Sequence, residues 1–131
     1  MGKVILAVDD APSILYIIES IFQNDHTVVL KKNANDALTW LEEGNFPDII
    51  ITDINMPGMD GWTFICQLKF SGYFRFIPII VLSGNESSSD RIKYLQGGAE
   101  DVLLKPFNPI ELKMRVDNIL KRFERVERAA V

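Results

Sequence analysis

The stretch Ile49-Ile50-Ile51-Thr52-Asp53 is a run of β-branched residues that ends in a carboxylate. Two further runs end in charge: residues 4–10 read VILAVDD, and residues 102–105 read VLLK. Short runs rich in β-branched residues are typical of strands that are buried on both faces of a parallel sheet. Because α/β folds carry their chemistry at the carboxyl ends of such strands, the charged residues that end these runs are predicted to meet in one crevice.

Helical patterns separate the strands along the rest of the chain. The predicted strands are 3–9, 27–32, 48–53, 78–83 and 101–105. The predicted helices are 11–24, 35–43, 62–71, 87–97 and a long last helix that starts at Asn108-Pro109. Regular alternation of this kind predicts an α/β fold, in which a parallel sheet is covered by helices on both faces.

Length, composition and net charge limit the classes of protein to which the chain can belong. The 131 residues are 47% hydrophobic, which predicts one domain with a sizeable core. The net charge of −4 argues against nucleic acid as a direct ligand. Cys66 stands alone, so an internal disulfide is excluded and a reducing compartment is favoured. We expect a cytoplasmic protein without membrane contact, because we find no signal peptide and no apolar run approaching about 20 residues.

The acidic strand ends predict a cation site. Asp9, Asp10 and Asp53 would repel one another in contact, and their oxygen ligands favour a hard cation such as Mg²⁺. Taken alone, each acid can be interpreted as a helix cap or a turn residue, and Lys105 can be interpreted as an exposed residue at the end of a strand. Their joint position at three strand ends favours a site, and Ser83 adds a hydroxyl at a fourth. This set suits a phosphoryl group carried on a carboxylate.

With these residues in view, the chain resembles the receiver domains of bacterial two-component response regulators, including chemotaxis response regulators. The matching motifs are Asp9-Asp10, residues 53–61 (DINMPGMDG), Ser83-Gly84, residues 98–101 (GAED) and Lys105-Pro106-Phe107. The resemblance implies a receiver domain over residues 1–122 with a flavodoxin-like, doubly wound, five-stranded sheet in the order 2-1-3-4-5. Residues 123–131 would then extend the last helix, as a dimer contact or a lead into an effector, or form a frayed tail.

The resemblance also implies a role for each acid. Asp53 matches the phosphoacceptor, which makes the chain a signalling switch that takes a phosphoryl group in the presence of Mg²⁺. Asp10 would bind the metal directly, and Asp9 would assist directly or through water. Asp53 and the Asn55 main-chain carbonyl would be further ligands. On this basis the chain is a phosphoacceptor regulatory domain rather than an enzyme, with self-phosphorylation and self-dephosphorylation as its only chemistry.

The remaining motif residues would hold the phosphoryl group once it is formed. Ser83, with Gly84 beside it in a switch loop, would donate a hydrogen bond to it. Lys105 would pair with its charge, and the peptide between Lys105 and Pro106 is cis in the family. Lys105 and Mg²⁺ would both reduce the repulsion between the Asp53 carboxylate and an anionic donor.

Family partners are a histidine kinase or a histidine phosphotransfer protein, and a downstream effector protein or domain. A homodimer formed on phosphorylation is a further expectation. Receivers dock through the first helix, whose predicted apolar stripe is Ile14, Ile17, Ile18, Ile21 and Phe22. Leu15 lies beside that stripe and is therefore interpreted as an exposed docking anchor, together with Pro106 and Phe107.

One position departs from the family pattern. Receivers usually carry an aromatic residue three positions before the lysine, where this chain has Val102. Coupling of Ser83 to a ring at that position is therefore not available, and we expect the Ser83-Gly84 loop and the fourth helix to carry the response. Tyr94 on that helix is a candidate substitute ring, although a partly exposed surface tyrosine is the plainer interpretation.

Three other functions match part of this pattern. A degenerate receiver that binds partners without phosphorylation would not need the intact acids and Lys105. An aspartyl-phosphate phosphatase generally has a second aspartate two residues after its nucleophile, where this chain has Asn55. A flavodoxin-like FMN carrier needs a phosphate loop after the first strand, where Asp9 and Asp10 would repel a phosphate.

Overall fold

The computed structural model describes residues 2–84 and 87–130, and for residues 125–130 it describes the backbone alone. Strands and helices alternate throughout these residues, as the apolar pattern predicts. The elements are β1 (Val4–Val8), α1 (Pro12–Phe22), β2 (Thr27–Lys31), α2 (Ala34–Glu42), β3 (Ile49–Asp53), α3 (Gly61–Phe70), β4 (Ile79–Ser83), α4 (Ser88–Gln96), β5 (Asp101–Leu104) and α5 (Pro109–Ala130).

The five described strands form one parallel sheet in the order β2-β1-β3-β4-β5. This confirms the predicted flavodoxin-like fold. Side chains alternate between the two faces along each strand. In β1, Ile5 and Ala7 join a buried cluster with α1 and α5, whereas Leu6 and Val8 join one with α2, α3 and α4. The sheet is thus buried on both faces, and its functional groups can reach solvent at the strand ends.

Local capping determines where several helices begin. The Asn33 side chain accepts a hydrogen bond from the Asp36 amide at 2.7 Å, so Asn33 rather than Asn35 caps α2. Ser87 caps α4 in a reciprocal capping box with Asp90, which starts that helix one residue later than predicted. The other element ends differ from the predicted ones by a few residues at most.

Helix α5 is the longest element, with 22 residues, and would span about 33 Å. Its buried stripe packs on the sheet through Leu112, Val116, Ile119 and Leu120. Its backbone continues as helix to Ala130. The domain boundary at residue 122 stays a prediction. None of the described helices combines the length and the apolar character that a membrane span requires.

The structure corrects the prediction for Leu15. Its side chain is only 6% exposed and lies in the core cluster with Ile18 and Phe22. These three residues follow the i, i+3, i+7 spacing of one helix face, and that face points at the sheet. The true stripe of α1 is rotated relative to the predicted one, so Ile17 is exposed instead. Leu15 is therefore a packing residue and cannot be an exposed docking anchor.

Gly61, the first residue of α3, lies against the end of β3. Its amide donates a hydrogen bond to the Ile54 carbonyl at 2.8 Å. A Cβ atom at this position would overlap the main-chain oxygen of Asp53 and lie 2.7 Å from the Ile54 Cα. The absence of a side chain thus lets α3 begin directly beside the strand that carries Asp53.

We predict that Gly61→Ala lowers the free energy of unfolding by about 1–3 kcal/mol, because the new methyl group must displace backbone rather than a flexible side chain. Urea denaturation would measure the change. Gly72→Ala is the matched control, since no described atom lies within 4 Å of a Cβ there. That variant should be neutral or slightly stabilising. Equal stability of the two variants would contradict the close packing of α3.

Candidate functional site

The charged ends of β1, β3 and β5 meet at one edge of the sheet. The Lys105 ammonium donates a hydrogen bond to the Asp9 Oδ2 at 2.8 Å, and its Nζ lies 3.2 Å from the Asp53 Oδ1. Asp9 is fully buried, and Asp53 is 4% exposed. The predicted meeting of these residues is thus what the structure shows, and their ion pairs join three separate strands.

Backbone groups hold the first acid in place. The Asp9 Oδ1 accepts a hydrogen bond from the Ala11 amide at 2.9 Å, and the Asp9 amide donates to the Lys31 carbonyl at 3.1 Å. The N-cap residue of α1 is Ala11, which makes no side-chain capping bond among the described residues. Asp10 is exposed. The interpretation of Asp10 as a helix cap is therefore not supported.

Burial and neighbouring charges shift the pKa values of Asp53 and Lys105. Burial of the Asp53 carboxyl, followed by the negative charge of Asp9, raises the pKa of Asp53 above its ordinary value, although Lys105 opposes this. Burial of the Lys105 ammonium lowers its pKa, but the hydrogen bonds and charges of Asp9 and Asp53 outweigh burial, so the pKa is raised. Lys105 is therefore a firmly charged partner of both carboxylates.

The acids are arranged so that they can hold a metal ion. Asp9, Asp10 and Asp53 each offer a carboxylate oxygen, and these oxygens all lie within 4.8 Å of one another. A donor set made only of carboxylate oxygens fits Mg²⁺. The Asn55 amide makes a long hydrogen bond of 3.4 Å to the Asp53 Oδ1, which keeps Asn55 beside the acids. Its main-chain carbonyl as a ligand stays a prediction.

Ser83 ends β4 at the same edge. Its side chain is fully buried, and its Oγ has no hydrogen-bond partner among the described residues. The Ser83 carbonyl accepts a hydrogen bond from the Lys105 amide at 2.7 Å, so the two residues are neighbours across β4 and β5. Gly84 follows and is exposed. A buried hydroxyl without a partner is costly, and it is ready to donate to an incoming acceptor.

The Lys105–Pro106 peptide is cis, as the resemblance implies. Pro106 is exposed, and Phe107 is partly buried against the core cluster of α1 and α5. Of the predicted docking residues, these two retain surface beside the acidic site, whereas Leu15 does not.

The position of the usual receiver ring is filled by a small side chain. Val102 is partly buried and packs against the core cluster that contains Tyr94. Tyr94 is only 7% exposed, which corrects the prediction of a surface tyrosine. Its ring centroid lies 5.9 Å from that of Trp62 on α3. The reason is the packing of α4 against α3, which the pattern of α4 alone does not reveal.

Asp60 and Trp62 have structural roles that were not predicted. The Asp60 Oδ1 accepts a hydrogen bond from the Thr63 amide at 2.8 Å and caps α3, which shapes the loop after the Asp53 strand. An aspartate before the first helical residue was the signal available for this cap. No spacing rule predicted that the Trp62 ring would contact α4.

Comparisons with known proteins agree with this geometry. The family description "Response regulator receiver domain" matches residues 5–117. The response regulator Rre1 of Synechocystis sp. is 34% identical over 120 residues, which cover 90% of this chain and 52% of that protein. The chain thus spans about half the length of this curated relative.

Solved structures show the same fold. The chemotaxis response regulator CheY4 of Vibrio cholerae has a TM-score of 0.83 at 29% identity, covering 91% of this chain and 99% of that one. The receiver domain of the Pseudomonas aeruginosa sensor histidine kinase PA1611, with a magnesium ion coordinated in its active site cleft, has a TM-score of 0.81 at 30% identity, covering 92% and 99%. The chain belongs to the response regulator receiver domain family.

Proposed function

We propose that the chain is a phosphorylation-dependent switch, in which Asp53 accepts a phosphoryl group from a histidine of a kinase or phosphotransfer protein. One observation carries the proposal: the Lys105 ammonium lies between the buried carboxylates of Asp9 and Asp53 at the end of the sheet. A third carboxylate, Asp10, lies with these two, and the buried Ser83 hydroxyl at the same edge has no hydrogen-bond partner among the described residues. That combination suits a site whose ligand is a phosphoryl group.

In the proposed reaction, an Asp53 carboxylate oxygen forms a bond to phosphorus while the bond from phosphorus to the donor nitrogen breaks. The nucleophile must be ionised, and Lys105 favours the ionised form against the effect of burial. Little covalent chemistry is required of the protein, so rate depends on position and on charge stabilisation. Lys105 contributes both, since its ammonium lies 3.2 Å from the Asp53 Oδ1.

Asp9, Asp10 and Asp53, with the Asn55 main-chain carbonyl, are the residues that would hold Mg²⁺. The ion would offset the negative charge that gathers as an anionic donor approaches a carboxylate. The support is the oxygen-only donor set within 4.8 Å, together with the magnesium ion in the related PA1611 receiver domain. Asp10 is the exposed member of the set and is the best placed to meet an ion from solvent.

After transfer, Lys105 pairs with the phosphoryl oxygens, and the Ser83 hydroxyl donates to one of them. Both contacts use groups that are already at the site, one of them without a partner among the described residues. A new hydrogen bond to Ser83 would draw the Ser83-Gly84 loop toward Asp53. The loop leads to α4, so the switch has a direct route to the surface of the domain.

Receiver domains partner with histidine kinases and effector domains. For this chain we propose that Pro106 and Phe107, with the neighbouring surface of α1, receive the phosphoryl donor. The surface of α4, β5 and α5 would meet an effector or a second copy after phosphorylation. Its exposed apolar side chains are Ile92, Leu95, Leu104, Ile110 and Met114. The cognate proteins would determine which pathway this switch serves.

The first prediction concerns the phosphoacceptor. With acetyl phosphate and Mg²⁺, intact-mass spectrometry should show one phosphoryl adduct on the wild-type chain, and Asp53→Asn should lose it. Asp60→Asn is the matched control, because Asp60 is exposed nearby and an asparagine can still cap α3. An adduct that persists in Asp53→Asn would place the chemistry elsewhere.

The second prediction concerns the metal. In metal-free buffer, Asp10→Asn should raise the Tm by about 2 °C, because removing one charge relieves about 0.5 kcal/mol of repulsion at an exposed position. Added Mg²⁺ should raise the Tm of the wild type and leave that of Asp10→Asn unchanged. Glu42→Gln, an exposed acid on α2, is the control and should respond like the wild type. Retained Mg²⁺ stabilisation in Asp10→Asn would exclude this ligand set.

The third prediction distinguishes phosphoryl transfer to Asp53 from the conformational response that follows it. The Lys105→Ala variant should still be phosphorylated in part. The pH at which its phosphorylation rate reaches half of the maximum should be higher than in the wild type, because the ammonium no longer favours the ionised form of Asp53. Amide chemical shifts in α4 and β5 should change little when beryllofluoride, a phosphoryl mimic, is added. Lys113→Ala is the control, since Lys113 is ion-paired outside the site. Wild-type shift changes in Lys105→Ala would refute this role.

A further inference from the structure

Helix α4 is held at its carboxyl end by a tryptophan of α3. The Trp62 ring lies so close to Gly97, the C-cap residue of α4, that a Cβ atom on Gly97 would overlap it. The Lys93 ammonium lies 4.7 Å from the centre of the same ring, and the Tyr94 ring lies 5.9 Å away. Cation–π and ring contacts therefore add to the packing at this end of the helix.

Trp62 is itself fixed to the phosphoacceptor strand. It follows Gly61, whose amide bonds to the Ile54 carbonyl at 2.8 Å and whose Cα packs against the Asp53 main chain. It also lies in the turn of α3 that Asp60 caps. Direct contacts thus run from the Asp53 backbone through the first turn of α3 to the carboxyl end of α4.

The amino end of α4 has a different attachment. The Ser87 N-cap stands four positions after Ser83, whose buried hydroxyl has no partner among the described residues. In the proposed switch, a displacement of Ser83 would therefore act along the chain on the first turn of α4. The two ends of α4 are tied to two different parts of the site: the amino end to the Ser83 loop and the carboxyl end to the Asp53 strand through Trp62.

We infer that Trp62 is the pivot of the switch: its ring keeps the carboxyl end of α4 in place while phosphorylation of Asp53 moves the amino end through the Ser83-Gly84 loop. This inference rests on the proposed function. It gives the chain a means of coupling that needs no ring at Val102. The movement would displace the exposed side chain of Ile92 relative to β5.

The contact itself is tested without any phosphoryl group. Gly97 has φ −76° and ψ −5°, a conformation that alanine adopts readily. A Cβ atom there would overlap the Trp62 ring and lie 3.3 Å from the Lys93 main-chain oxygen, so the part of the Gly97→Ala cost that disappears in Trp62→Leu belongs to the ring. We expect Gly97→Ala to lower the Tm in the wild-type background and to leave it unchanged or higher in Trp62→Leu. The same Tm shift in both backgrounds would overturn the contact.

The pivot is tested by hydrogen exchange with Mg²⁺ and beryllofluoride. In the wild type, exchange should change in residues 87–91 and stay constant in residues 94–97. In Trp62→Leu, the change should spread to residues 94–97. Trp40→Leu is the matched control, because Trp40 is also partly buried against the core cluster that Trp62 packs on, but lies on α2. That variant should keep the wild-type pattern.

Intact-mass spectrometry of the same proteins after treatment with acetyl phosphate distinguishes failure of the proposed function from failure of the Trp62 pivot. A wild-type chain without an adduct would reject the proposed function, and the pivot with it. If every variant carries the adduct but the wild type and Trp62→Leu show the same hydrogen-exchange pattern, the pivot alone would be rejected. Trp62→Phe, which keeps a smaller ring in the core, replaces Trp62→Leu if the latter does not fold and should show the same spread of exchange.

Discussion

The ion pairs of Lys105 are the interaction on which the functional edge of this protein depends. Carboxylate oxygens of Asp9 and Asp53 lie within 4.8 Å of each other with little or no solvent around them. Their repulsion is on the order of 3 kcal/mol at the effective dielectric constant of protein sites. The Lys105 ammonium, bound to both, offsets this cost and ties β5 to β1 and β3.

The same arrangement leaves charge repulsion and a buried hydroxyl to be relieved at the site, which suits the proposed switch. Three carboxylates lie together, and Lys105 is ion-paired with two of them, Asp9 and Asp53. The buried Ser83 hydroxyl lacks a partner among the described residues. Each of these costs is relieved by a ligand of opposite character, a metal ion for the acids and a phosphoryl oxygen for the hydroxyl. Binding energy at this edge is therefore available to shift the population of conformations.

In the proposed switch, transmission of the signal depends on how closely the helices approach one another. Two glycines permit contacts that any side chain would block: Gly61 lets α3 start against β3, and Gly97 lets α4 lie on the Trp62 ring. Val102 offers no large ring that could exchange between buried and exposed states. In this receiver the ring contact between Trp62 and Tyr94 joins α3 to α4 on one side of the sheet, whereas β5 carries no aromatic residue.

The sequence by itself determined the alternation of strands and helices and the residues at the functional edge, because apolar periodicity sets the elements and parallel strands place their ends together. Sheet order and individual roles came from motif resemblance. Only the tertiary structure decided that Leu15 is buried and that Trp62 meets Gly97. These two features depend on how each helix is rotated about its axis and how closely it packs, and the apolar pattern of a single helix does not determine either.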